Sequence, residues 1–172
     1  MRKILLGVTG SIAAYKAAEL VRLFVKNGDE VKVVMTPAAC EFITPLTMQT
    51  LSKNPVYVNQ FATPESWCPE HIALSDWPDQ IVVAPATANT IAKIVCGIAD
   101  NLLTATLLAS RKPIAVAPVM NTGMLEASIT QENIEKLRQR GVKIIEPKTG
   151  ELACGISGKG RMPEAKEIFD EI

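Results

Sequence analysis

Three β-branched residues in a row, Ile81, Val82 and Val83, constrain this chain more than any other feature, because no polar residue alternates with them. A strand with one face in water alternates apolar and polar side chains. One that does not alternate must be covered on both faces, which is the condition of a central strand in a parallel sheet. Pro85 lacks the N–H that a sheet ladder needs, so the strand is expected to stop there. Thr87 and Asn89 then bring a hydroxyl and an amide to a turn ahead of a helical stretch at 90–96, whose first N–H groups and positive dipole end favour an anion. Apolar strand, proline and short polar turn recur at 114–121. The chemistry is expected between these two corners.

The rest of the chain supplies the partners such a strand requires. Residues 3–8 form an apolar strand, Thr9-Gly10-Ser11 a turn, and 12–26 an amphipathic helix with Asn27-Gly28 as its stop. A second strand at 30–35 ends at Thr36-Pro37, which completes a βαβ unit. Thr44 caps a helix over 45–53, and 56–58 is a brief edge strand. Residues 60–70 read as a loop leading to His71-Ile72. Helices follow at 90–96 and 101–109, then a strand at 114–117, a helix capped by Thr130 and running to Arg140, a strand at 142–146 and a terminal helix from Pro163. The stretch 150–160 is too glycine-rich to be assigned a regular element. Alternating strands and helices imply an α/β fold, a three-layer, doubly wound, mostly parallel sheet of the Rossmann or flavodoxin kind.

At 172 residues, 48% of them hydrophobic, the chain fits one domain with a real core. Eighteen basic residues balance eighteen acidic ones, which leaves no electrostatic footprint for nucleic acid. Gly7, Thr9 and Gly10 cut short the apolar start that would imitate a signal peptide, and no apolar run reaches the roughly 20 residues that cross a bilayer. A soluble, cytoplasmic protein with reduced cysteines is expected. Cys68-Pro-Glu-His71 lacks a second pair of ligands, so no metal site is expected. The helices at 90–96 and 101–109 are apolar nearly all round, which predicts a homo-oligomer.

In a doubly wound sheet, ligands sit beyond the carboxyl ends of the strands. That rule gathers Thr9, Gly10, Ser11, Thr36, Ala86, Thr87, Ala88, Asn89, Met120 and Asn121 on one rim. The first turn is Gly7-x-x-Gly10 rather than G-x-G-x-x-G, and no acid ends the second strand to hold a ribose diol, so a nicotinamide dinucleotide is poorly supported. The Walker phosphate loop is absent as well. A mononucleotide fits better, its single phosphate held by Ser11, Thr36, Thr87 and backbone N–H groups, and flavin mononucleotide (FMN) is the natural candidate. The plainer alternative is that Gly10, Ser11 and Thr36 are only turn and cap residues.

Several separated motifs add a resemblance. Gly10-Ser-Ile-Ala-Ala-Tyr-Lys16, His71-Ile, Pro85-Ala-Thr-Ala-Asn-Thr-Ile-Ala-Lys93, Gly97-Ile-Ala-Asp-Asn-Leu-Leu103, Pro118-Val-Met-Asn-Thr-Gly-Met124 and Ala153-Cys-Gly155 occur in that order. Together they resemble the flavin-dependent cysteine decarboxylases, over essentially the whole chain, and most closely the branch acting on 4'-phospho-N-pantothenoylcysteine in coenzyme A biosynthesis. Two positions depart from the family pattern. Leu125 stands where Trp is frequent, and Ile156 where Asp is common. The synthetase domain often fused to this one is absent from the 172 residues, which fits either a stand-alone enzyme or an excised one.

The resemblance implies FMN held by Thr9, Gly10, Ser11, Ile12, Thr36, Ala86, Thr87, Ala88, Asn89 and Val119, and substrate held by Asn121, Met124, Ala153 and Gly155. It implies three catalytic residues: His71 as the base that assists thiol deprotonation, Asn121 binding the substrate carboxylate, and Cys154 donating the last proton from a glycine-rich flap. Oxidation of the cysteine side chain to a thioaldehyde creates an electron sink for decarboxylation, and the resulting enethiol is reduced to the saturated thiol. The family's assemblies are trimers that can group further into dodecamers. Rival readings are a decarboxylase of peptides ending in cysteine and a non-catalytic regulatory flavoprotein. Cys40, Cys68, Cys96, Trp67 and Trp77 are read as packing residues.

Overall fold

The computed structural model describes residues 1–62, 68–151, 155 and 157–172. Strand β1 (Lys3–Val8), helix α1 (Ala14–Lys26) and strand β2 (Glu30–Met35) form the first unit, with Ile4 opposite Val31 and Val8 opposite Met35 in parallel register. The helix begins at Ala14 rather than 12 because Ser11 first closes a turn, its N–H donating to the Thr9 carbonyl at 2.9 Å. Gly28, at φ +86°, takes the left-handed conformation that ends α1. A 3-10 turn at Pro37–Glu41 follows β2, then α2 (Pro45–Ser52) and the two-residue edge strand β3 (Val56–Tyr57). Thr44 caps α2 as expected, its side chain accepting from the Thr47 N–H.

The second half contains α3 (Glu70–Asp76), β4 (Gln80–Ala86), α4 (Ala88–Cys96), α5 (Leu102–Ala109) and β5 (Ile114–Pro118). After these come α6 (Thr122–Glu126), α7 (Ser128–Gln139), β6 (Lys143–Ile144), β7 (Lys148–Glu151), β8 (Ser157–Arg161) and α8 (Ala165–Glu171). Six strands make one parallel sheet in the order β3-β2-β1-β4-β5-β6, while β7 and β8 pair antiparallel outside it. The α/β doubly wound fold is as expected.

The uninterrupted run in β4 behaves as a doubly covered strand must. Ile81 and Val83 enter the core layer shared with α3, α4, α5 and α7, whereas Val82 and Ala84 enter the layer under α1 and α8. All four are fully buried, so each face of the sheet is apolar to its centre.

Four expectations are corrected. The strand does not stop at Pro85 but continues to Ala86, because the register shifts between Val83 and Ala86 and leaves the proline outside the ladder; the Val119 N–H then donates to the Ala86 carbonyl at 3.0 Å. The glycine-rich stretch is partly regular, with β7 and β8 spanning most of it. Thr130 does not cap α7. The helix starts at Ser128 after Ala127, and Thr130 lies buried in its first turn. The short helices α3 and α6, each set by a proline or asparagine just before it, lie in segments with too few residues for a periodic signal.

Candidate functional site

The strand order reverses between β1 and β4. The chain moves outward from β1 to β3, then returns to β4 on the other side of β1, which opens a crevice at their carboxyl ends. Thr9 stitches that crevice from within. Its hydroxyl donates to the Pro85 carbonyl at 2.8 Å and accepts from the Thr87 N–H at 3.1 Å, with the residue 1% exposed. Thr9 therefore shapes the wall with its side chain, while the residues after it line the opening.

Gly10 lets the two neighbouring turns touch. A Cβ on Gly10 would lie 2.6 Å from the Ala38 Cβ, so only glycine allows the β1–α1 turn to pack on the 3-10 turn after β2. Ser11 is half-buried beside it, its hydroxyl accepting from the Ala13 N–H at 3.3 Å, and Ile12 projects outward. Thr36 is 9% exposed and caps the 3-10 turn by accepting from the Ala39 N–H at 3.2 Å. Cys40, in the same turn, is a free thiol whose pKa burial pushes up, which suits the unreactive packing role.

Thr87 caps α4, accepting from the Thr90 N–H at 3.3 Å, so the helix start faces the crevice with one of its N–H groups already bound. Ala86 is buried, Ala88 half-buried and Asn89 exposed at this corner. Across from it, Val119 is tied to Ala86 and is 8% exposed. Asn121 is exposed and caps α6, its side-chain oxygen accepting from the Gly123 N–H at 2.8 Å; Met124 is exposed on the same short helix. Leu125, at one of the departing positions, is buried in the layer of α4 and α7 and packs the loop from beneath.

None of these rim residues is ionisable. The cap hydroxyls, glycine and alanines leave a neutral crevice beside a helix N-terminus, which suits the flat ring and single phosphate of a flavin mononucleotide. Among the described residues no group of three metal-ligating side chains occurs. The described helices include none long and apolar enough to cross a membrane.

None of the rim residues lines the groove that holds His71. His71 is half-buried in the first turn of α3, in an open groove with Gln60, Ala99, Ala105, Leu108 and Ala109, none of which belongs to the crevice. Gly155 is exposed at φ +79°. Cys154, Ala153, Ile156 and Trp67 lie outside the described residues.

Sequence reasoning missed the contacts that dock the β7–β8 hairpin. Thr122 donates to the Lys159 carbonyl at 2.8 Å, and the Met120 N–H donates to the Gly160 carbonyl at 3.2 Å. Gly158 and Gly160, two apart and so on one face of a strand, were a legible sign of a close backbone approach. It missed Lys16 too. Lys16 is 5% exposed and donates to the Met162 carbonyl at 3.1 Å and to Glu164 at 2.8 Å, tying α1 to the segment after β8.

A doubly wound sheet with a neutral, hydroxyl-lined crevice at its switch point is the architecture of the flavoprotein class. The chain belongs to the Flavoprotein family, whose pattern matches residues 1–172. It is 48% identical over 173 residues to the probable phosphopantothenoylcysteine decarboxylase of Streptococcus mutans, covering 99% of this chain and 97% of that protein. It is also 48% identical over 168 residues to the coenzyme A biosynthesis bifunctional protein of Haemophilus influenzae, covering 98% of this chain and 42% of that protein. The chain thus spans about two fifths of the length of the bifunctional relatives it matches. Among solved structures it resembles a cysteine-to-serine mutant of PPC decarboxylase complexed with pantothenoylaminoethenethiol, at a TM-score of 0.89 and 32% identity over 99% of this chain and 95% of that one. The FMN-dependent cysteine decarboxylase SpaF is similar at a TM-score of 0.84 and 31% identity, covering 98% of this chain and 94% of that one.

Proposed function

We propose that this chain binds FMN in the crevice between β1 and β4 and converts 4'-phospho-N-pantothenoylcysteine to 4'-phosphopantetheine and carbon dioxide. The observation that carries the reading is the similarity to the Streptococcus mutans decarboxylase along nearly the full length of both chains. The neutral rim supports it independently. When bound, the flavin supplies a hydride acceptor for the substrate's cysteine side chain and later returns the hydride, so no net oxidation remains.

The chain's own residues then have distinct tasks. Thr87, Ser11 and the first N–H groups of α4 hold the phosphate, and Gly10, Ala86 and Val119 give the ring a close, apolar seat. His71 takes the proton of the substrate thiol as the side chain becomes a thioaldehyde. Asn121 orients the carboxylate with a neutral amide. A cationic partner would hold the carboxylate tightly and oppose its conversion to neutral carbon dioxide. Loss of carbon dioxide leaves its electron pair on the carbon β to sulfur as an enethiol, and the Cys154 thiol provides the proton that completes the saturated product.

With no rim residue lining the His71 groove, the geometry supports an assembly in which one copy's groove meets another copy's crevice. Leu108, 60% exposed, lines that groove with Ala99, Ala105 and Ala109, and Ile98, next to Ala99 in the chain, is 48% exposed. A homo-oligomer, a trimer or a dodecamer built from trimers, covers them. A cytoplasmic location fits a coenzyme A biosynthetic enzyme.

A second reading, oxidative decarboxylation of a peptide ending in cysteine, is favoured by the likeness to the peptidyl-cysteine decarboxylase EpiD, at a TM-score of 0.82 and 28% identity. The decisive experiment is to identify the flavin released from purified protein and offer the protein both substrate classes. Released FMN with turnover of phosphopantothenoylcysteine alone is expected. Turnover of the peptide alone transfers the function to the second reading, and protein that takes up no flavin removes the cofactor assignment.

A further inference from the structure

The helix that carries His71 has little of its own to hold it in place. α3 is seven residues long, and Pro69 ahead of it supplies no side-chain cap. A helix that short is unstable by itself, so its position is set by what it packs on. His71, Leu74 and Ser75 stand at i, i+3 and i+4 and therefore share one face. Leu74 is buried to 1% in the core layer that α5 enters through Leu102, Leu103 and Leu107, which fixes the depth of α3. Apolar burial has no direction, so this anchor leaves rotation about it free.

The second anchor is a hydrogen bond. Ser110 ends α5, and its hydroxyl donates to the Ser75 carbonyl at 2.9 Å while accepting from the Lys112 N–H at 3.2 Å. A helix leaves its last carbonyls without internal partners, and that of Ser75 is one of them. The N–H four residues on, in Asp79, donates to the Lys3 carbonyl at 2.8 Å instead. Ser75 is 2% exposed, so water has little room to take the place of the serine. We infer that Ser110 is a positioning residue for His71, whose hydroxyl fixes α3 on α5 and so holds the imidazole beside Ala105, Leu108 and Ala109, the part of the groove that α5 supplies. Base and groove wall are kept in one frame by a hydroxyl that does not itself line the groove. The inference rests on the decarboxylase reading for the role of His71 as base, whereas the docking of α3 is a property of the fold.

His71 is the one histidine of the chain, so deuterium uptake at the imidazole C2 position, followed by mass spectrometry, belongs to this residue alone. Flavin-loaded wild type is compared with Ser110→Ala, which removes the hydroxyl, and Ser110→Thr, which restores it. Three quantities are read: amide exchange across 70–77, deuterium uptake at His71, and kcat and KM for phosphopantothenoylcysteine. In Ser110→Ala the amide exchange should rise by about fivefold for the loss of one hydrogen bond, while the amides of β1 and β4 keep their protection. Uptake at His71 should rise with it, and kcat should fall severalfold at an unchanged KM, because the base is displaced while the rim that binds substrate is not. Ser110→Thr should return all three to wild-type values. Unchanged amide exchange in Ser110→Ala would overturn the docking, and faster amide exchange with unchanged uptake at His71 or unchanged kcat would overturn the positioning role. If wild type does not turn over this substrate, the decarboxylase reading fails, while the two exchange measurements still decide whether Ser110 positions His71.

Discussion

Thr9 and Pro85 meet across the switch point of the sheet through a 2.8 Å hydrogen bond, and the same hydroxyl takes the Thr87 N–H. One side chain thus joins the end of β1 to the corner that starts α4. Thr9→Val leaves a buried carbonyl and a partly buried N–H without that partner, which costs about 1–3 kcal/mol of stability. Urea unfolding should show a lower midpoint, with weaker flavin retention because the α4 corner shifts. A variant with wild-type midpoint and wild-type flavin content would remove this role.

The same corner depends on a glycine. Gly10→Ala puts a methyl group 2.6 Å from the Ala38 Cβ, so the two turns must part. The expected cost is about 1–3 kcal/mol, with a protein that still folds but loses flavin readily on gel filtration. Cofactor retention equal to wild type would mean that the contact between the turns does not shape the crevice.

Acid should loosen the C-terminal segment before the sheet. The hydrogen bond from Lys16 holds the Glu164 carboxyl below its ordinary value of 4.5, against a smaller opposing effect of burial and with Arg161 adding to the lowering. A carboxyl lowered in the folded state contributes stability above its unfolded pKa and loses it as pH falls through the folded one. The Lys148 pair acts the same way on Glu167. Protection factors in 161–172, with exchange rates taken relative to those of unstructured amides at the same pH, should fall in wild type as the pH drops through the ordinary carboxyl value of 4.5 and below it, and Glu164→Gln should flatten that dependence. Equal pH profiles for the two proteins would count against the Lys16–Glu164 link.

Much of this architecture was legible because buried parallel strands and capped helices leave strong local signals. Ile81 to Val83, Thr44 and Thr87 each stand where their chemistry requires. Pro85 misled because a ladder can step over a residue that has no N–H to offer, and a neighbour in β5 decides that, not the residue itself. The β7–β8 pairing was hidden for a related reason. Gly158 and Gly160 lack strand propensity, and the close approach that needs them comes from Thr122 and Met120, more than 35 residues earlier in the chain. For the site, the rim could be found from strand ends, whereas the groove that His71 shares with Ala99, Ala105, Leu108 and Ala109 is a tertiary fact that no spacing reveals.

The His71 groove bears on assembly. Leu108 is 60% exposed at the edge of the His71 groove. Leu108→Glu should shift the protein to smaller species in sedimentation velocity and abolish turnover while leaving the fold intact by circular dichroism. A wild-type protein that sediments as a single chain and still turns over would refute the shared site.

The proposed reaction is a reductive, not merely oxidative, decarboxylation. Wild-type protein and Cys154→Ser are each loaded with FMN and given phosphopantothenoylcysteine, and the products are weighed by mass spectrometry. Both should lose one carbon dioxide, with 4'-phosphopantetheine formed by wild type and the enethiol, lighter by two hydrogens, by Cys154→Ser. Saturated product from both would contradict the role of Cys154, and intact substrate from wild type would contradict the function itself.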